Sequence, residues 1–153
     1  MKFIVINMIV SFYLTTISPL SEQNGAIGNS QNLLFKLTIK DVKNPTATIN
    51  IGFYKREDKF PDLKRSSIFK SIIPGKKGDI NLVWDDIPQG EYALAVYQDL
   101  DNNGKLNSSI FGMPKEPYGF SLNFVPVLRA PKFGECKIDF NSNSNAFEIK
   151  LNN

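Results

Sequence analysis

Within residues 99–107 the chain reads Asp99-Leu100-Asp101-Asn102-Asn103-Gly104-Lys105-Leu106-Asn107. A hard cation such as calcium takes six to eight oxygen ligands, and alternate side chains on a tightly turning loop can supply them. Asp99, Asp101 and Asn103 stand at positions one, three and five of a calcium-loop spacing, with Gly104 at the sharp turn. Lys105 can offer its backbone carbonyl, and Asn107 can act directly or through water. The match breaks at position twelve, where Ile110 replaces the bidentate glutamate. A carboxylate from elsewhere must then complete the shell, and Glu116, Asp85 and Asp86 are the candidates. The alternative is a turn alone, because Asp, Asn and Gly are good turn formers after a strand. Both readings stand at this level.

Directly after it comes Phe111-Gly112-Met113-Pro114-Lys115-Glu116-Pro117-Tyr118-Gly119-Phe120-Ser121. Two glycines free the backbone and two prolines restrict it, so a defined loop is expected to present Lys115, Glu116 and Tyr118. As a binding lip these residues would offer a carboxylate and aromatic faces to a sugar or a peptide. As structure, Phe111, Tyr118 and Phe120 would cap one end of a core while Lys115 and Glu116 pair on the surface.

Catalytic chemistry has few donors. The chain contains no histidine, which removes the usual base near neutral pH and the zinc and triad sites that depend on it. Cys136 is the single cysteine, expected in a strand and inert, and no intramolecular disulfide can form. No phosphate-cradling glycine loop follows a strand. A carboxylate pair drawn from Asp99, Asp101 and Glu116 is what a hydrolase would have to use. Asn107-Ser108-Ser109 is a formal glycosylation sequon, relevant only in a eukaryotic secretory pathway.

The elements around these loops read as strands. Phe35, Leu37 and Ile39 alternate with polar residues, as do Ile49, Ile51 and Phe53, then Ile80, Leu82 and Trp84. Residues 68–73, 136–140 and 146–151 add shorter runs, and 55–66 suits a long charged loop or one helical turn. Glu91–Gln98 leads into the cation-type loop, with Tyr92, Leu94 and Val96 on one face. Ala93 and Ala95 on the other face imply that something packs closely there. Asn141–Asn145 is read as a hairpin loop. About seven strands without helical periodicity predict an all-β, antiparallel two-sheet sandwich, immunoglobulin-like or transthyretin-like.

The chain has 153 residues, enough for one ordinary domain. Residues 1–21 begin Met1-Lys2 and continue through an apolar run to polar residues, the pattern of a secretory signal peptide. A buried terminal strand or a membrane anchor are the alternatives, but the run falls short of the ~20 apolar residues that span a bilayer. Residues 22–31 form a polar linker, and 32–153 the sandwich domain. A net charge of +3 is not the footprint of nucleic-acid binding. The basic residues of 55–65 are interspersed with Glu57, Asp58 and Asp62 and read as a solvated loop.

Taken in order, three motifs resemble the bacterial domain-of-unknown-function family 2141: Pro88-x-Gly90-x-Tyr92-Ala93-x-Ala95-Val96, Asp99-x-x-x-Asn103-Gly104-Lys105-Leu106 and Gly112-x-Pro114-Lys115-Glu116-x-Tyr118-Gly119-Phe120-Ser121. A weaker Pro131-x-Phe133 follows. The resemblance spans roughly Leu33 to Leu151 and implies an exported protein with no established reaction. Against the family pattern, Gln98 stands where a histidine is typical, Asp101 where an asparagine is, Asn107 where an aspartate is, and Leu122 where an asparagine is.

The expectation is therefore a monomeric, secreted or periplasmic, non-enzymatic module, binding or structural in the cell envelope. Its metal ligands would be Asp99, Asp101, Asn103, Lys105 and Asn107, with calcium as the cation they would hold. Lys115, Glu116 and Tyr118 would meet an envelope or surface ligand, carbohydrate or protein. No nucleic acid and no membrane span after leader removal are expected. A carboxylate-dependent hydrolase acting on envelope polysaccharide is the alternative.

Overall fold

A computed structural model describes residues 33–110 and 113–152. The expected leader and linker, Asn32, the loop residues Phe111 and Gly112, and Asn153 lie outside the described residues. Within them the chain forms eight strands: β1 Phe35–Val42, β2 Thr48–Tyr54, β3 Ile68–Ile72, β4 Gly78–Trp84, β5 Gly90–Asp99, β6 Tyr118–Phe120, β7 Lys137–Phe140 and β8 Ala146–Lys150. They build a two-sheet sandwich, β4-β1-β8 against β3-β2-β5, with β6 and β7 both paired to the remaining edge of β5. Strand β6 is the one that the alternation does not predict, because three residues with a central glycine carry no period. One pair departs from the antiparallel expectation: β1 and β8 run parallel. Parallel neighbours need a long connection, and these two are joined through the rest of the domain.

The inward alternation predicted from the sequence fills the core. Phe35, Leu37 and Ile39 of β1 meet Ile49, Ile51 and Phe53 of β2 and Tyr92, Leu94 and Val96 of β5. Phe35 sits at the centre, edge-on to Phe53 at 5.1 Å and to Phe140 at 4.9 Å. Each such fully buried side chain contributes about 1.5–3 kcal/mol. Trp84 is half-buried at the margin of this cluster, 5.9 Å from Phe53.

The five-stranded sheet is covered on its outer face as well. Tyr54, Ala93, Ala95, Phe120 and Cys136 form a second cluster, overlaid by Phe60, Phe124 and Phe133. The small residues are what let this layer approach: a Cβ at Gly52 would lie 2.7 Å from Leu63 Cδ2. Residues 55–67 close over the sheet as a loop with a single 3₁₀ turn at Leu63–Arg65. Asp58 holds that loop by accepting from the Lys55 and Ser67 backbone N–H groups, at 2.7 and 3.0 Å.

Two joints fix where the later loops sit. Strand β6 reaches both sheets, because Tyr118 pairs with Tyr97 of β5 and also exchanges two backbone hydrogen bonds with Asn152, beyond β8. Between β6 and β7 the ladder along β5 is interrupted, and Ser121 bridges the gap. Its hydroxyl accepts from Leu94 N–H at 2.9 Å and donates to the Cys136 carbonyl. The Asn141–Asn145 segment is not the connection of a hairpin between neighbours. It turns tightly at Asn141 and Ser144, but β7 belongs to one sheet and β8 to the other. It is a corner of the sandwich.

Candidate functional site

Asp99 ends β5 on the outer face of the sheet, two residues after Tyr97. It is only 2% exposed. The chain leaves β5 and folds back over the carboxylate, whose two oxygens accept the N–H groups of Asn103 at 3.1 Å and Gly104 at 2.7 Å. Gly104 has φ +75, a left-handed conformation that glycine adopts without a Cβ penalty. Asn102, also left-handed at φ 55, anchors the loop to β2 by accepting from the Thr48 N–H and hydroxyl.

Glu116 closes the loop from the other end. It is 4% exposed, and its oxygens accept Leu100 N–H at 2.8 Å and Asn107 N–H at 2.9 Å. A short ladder leads to it, in which Lys115 N–H donates to the Asn107 carbonyl and Ser109 N–H to that of Met113. Asp101, which is exposed, completes a cluster: one ligand oxygen each from Asp99, Asp101 and Glu116 lies within 4.8 Å of the others. Two oxygens on opposite sides of a calcium ion, each ~2.4 Å away, stand about 4.8 Å apart. A carboxylate has about four lone-pair sites, so oxygens that accept backbone N–H groups retain capacity for a cation.

No lysine or arginine forms an ion pair with these three carboxylates among the described residues. The charge is met by dipoles. The side-chain amides of Asn103 and Asn107 donate to the same Asp101 oxygen at 2.9 and 2.7 Å. The Asn107 amide is the leading cause that holds the Asp101 carboxyl below its ordinary range. For either asparagine to become a ligand, its amide must turn its oxygen inward and give up that bond. Above the cluster is an open depression of about 370 Å³, lined by Leu100, Asp101, Asn107, Ser108, Lys115 and Glu116.

The structure therefore gathers Asp99, Asp101, Asn103 and Asn107 around one point and brings Glu116 to them. Asp85 and Asp86 stay away, and Asp86 pairs with Lys70. Lys105 N–H donates to the Asn103 side chain. The three lip residues part company: Lys115 points to solvent, Glu116 turns inward, and half-buried Tyr118 stacks edge-on against Phe120 at 5.8 Å. Gln98, in the position beside the loop, is wholly buried and serves the turn between β1 and β2. Its Oε1 accepts from Lys43 and Asn44 N–H, and its Nε2 donates to the Asn44 carbonyl at 2.6 Å. Nothing in the local spacing singles out Gln98 or Ser121, since their partners are distant in sequence.

The profile of a family described as "Uncharacterized protein conserved in bacteria (DUF2141)" matches residues 37–148. The chain belongs to this family. Its matched span runs from the second core position of β1 into β8 and so contains the whole loop region of the DUF2141 domain. No curated protein and no solved structure matches the chain. Membership in DUF2141 brings no reaction with it, and the chemistry rests on the geometry above. Cys136 adds none: burial pushes its thiol up to about 12. Among the described residues no helix is long and apolar enough to cross a membrane.

Proposed function

We propose that this DUF2141 protein is an exported, non-enzymatic β-sandwich module of the cell envelope whose 99–116 loop is held by a calcium ion. The observation that carries the reading is the convergence of Asp99, Asp101 and Glu116 within 4.8 Å with no basic side chain among the described residues paired to them. Three carboxylates at that separation repel one another, and a divalent cation offsets the repulsion while bridging the two ends of the loop. The Asn and backbone oxygens nearby can extend the shell. A sandwich with its loop fixed in this way suits an extracellular or periplasmic binder of carbohydrate or protein.

The hydrolase alternative is less well supplied. A glycosidase sets two carboxyl groups about 5–9.5 Å apart across a groove, free to take and give protons. Here two of the three acids are buried, and each of their oxygens already accepts a backbone N–H.

Calorimetry and thermal melting with millimolar calcium test the cation. A saturable heat and a rise in melting temperature are expected, both lost in Asp101→Ala. The absence of any response in the wild-type chain would remove the cation from the reading. Export is tested separately, by N-terminal sequencing of the mature protein from the periplasmic or extracellular fraction, where a start between residues 19 and 24 is expected.

A further inference from the structure

Among the described residues, the outer face of the five-stranded sheet is not covered along its whole length. The row Ser71–Asn50–Tyr97, paired side by side across β3, β2 and β5, lies at the bottom of a gap between two walls, with Asn50 and Tyr97 themselves buried and Ser71 exposed. One wall is the 3₁₀ turn with Leu63 and Lys64, and the other is the loop at Gly104. They enclose a cleft of about 400 Å³ that Asn50, Phe69 and Tyr97 also line. That volume is within the ~300–1,000 Å³ of small-molecule sites.

We infer that this cleft is a binding site for a carboxylated saccharide, an oligouronide being the simplest case. The inference rests on the proposed role as a binder and does not require the cation. Asn50 is 6% exposed yet lines the cleft, and its Oδ1 is engaged by the Ser71 hydroxyl at 3.0 Å. Its amide N–H₂ faces the Tyr97 hydroxyl on the neighbouring strand, so the two form one polar patch on the floor of the cleft. Phe69 is 52% exposed, beside Gly52 of β2, over which Leu63 packs. An uncovered ring of this kind offers its face to the C–H groups of a pyranose. Lys64 is the one charged residue of the lining and makes no ion pair among the described residues, which leaves its ammonium for a carboxylate.

The lining also argues against a peptide. An extended peptide binds a sheet through free backbone donors and acceptors at an edge. Over β2 and β5, which are paired on both sides, recognition has to run through side chains, and the unpaired edge of β3 lies beyond the Phe69–Ser71 row. Among the described residues no carboxylate lines the cleft, which suits holding a sugar over cleaving it.

The test is titration calorimetry of the full chain with trigalacturonate and with neutral maltotriose, in EDTA, so that calcium-bridged binding is absent. Saturable trigalacturonate binding is expected, with maltotriose about ten-fold weaker. Phe69→Ala should weaken both by about three- to ten-fold. Lys64→Gln should erase the preference for the uronide and leave maltotriose unchanged. Both side chains reach solvent, so circular dichroism should show an unchanged fold. No saturable binding of the uronide up to about 10 mM overturns the inference, as does wild-type binding by both variants. Uronide binding in EDTA alongside a missing calcium response supports this inference and removes only the cation. A calcium response with no uronide binding removes only this one.

Discussion

The carboxylate of Glu116 accepts the backbone N–H of Leu100 at 2.8 Å, so the residue that ends the loop holds the residue that begins it. Its second oxygen takes the Asn107 N–H at 2.9 Å. The loop is thereby closed by one buried side chain, whether or not a cation is bound.

Glu116→Ala leaves both N–H groups without their acceptor. A loss of about 2–4 kcal/mol is expected in urea denaturation, measured without calcium. Glu116→Gln keeps one acceptor oxygen and should lose about half as much. An unchanged midpoint in the alanine variant would show that water replaces the carboxylate freely.

Ser121→Ala removes the bridge between β6 and β7, stranding Leu94 N–H and the Cys136 carbonyl in a buried position. About 2–4 kcal/mol should be lost. Amide exchange at Leu94 should accelerate more than at its neighbours in β5, which separates this local effect from general destabilisation.

Gly119→Ala places a Cβ 2.5 Å from the Lys150 carbonyl oxygen and 2.7 Å from Ile149 Cγ2. The backbone of β8 must move, at a cost of about 1–3 kcal/mol or more. The joint between the sheets at Tyr118 and Asn152 should loosen first, which amide exchange at those two residues can report.

Leu122→Asn should stabilise the protein. Leu122 has φ 60 and ψ 15, a left-handed conformation that asparagine tolerates better than leucine, and its side chain is 61% exposed. The gain expected in thermal or urea melts is about 1 kcal/mol. A loss would mean that the leucine packs on something the free chain needs.

Arg129 and the Lys132 N–H, in that order, draw the Glu135 carboxyl down from 4.5 to about 2. A depressed carboxyl contributes stability that is present above the unfolded pKa and disappears as the pH falls through the folded one. The difference between wild type and Glu135→Gln should therefore be complete above about pH 4.5 and fade towards pH 2. A difference that stays constant across that window would show that the ion pair does not contribute.

Much of the architecture is legible in the chain because alternation is a local property. Phe35, Leu37 and Ile39, or Tyr92, Leu94 and Val96, declare their faces within a few residues, and Ala93 and Ala95 announce a close neighbour. Asp99, Asp101 and Asn103 are likewise near in sequence, so their convergence is written in the spacing. What the chain alone does not declare is which distant groups arrive. Glu116 and not Asp85 or Asp86 joins the acids because β6 is pinned between two sheets. Gln98 and Ser121 serve partners up to 55 residues away. The cleft over Asn50 and Tyr97 forms because β2 and β5 lie side by side and the 3₁₀ turn and the Gly104 loop leave a gap between them. Hydrophobic periodicity and turn chemistry act over a few residues and determine strands and turns. Pairing register and loop packing act between segments far apart, and they decided which side chains share a site.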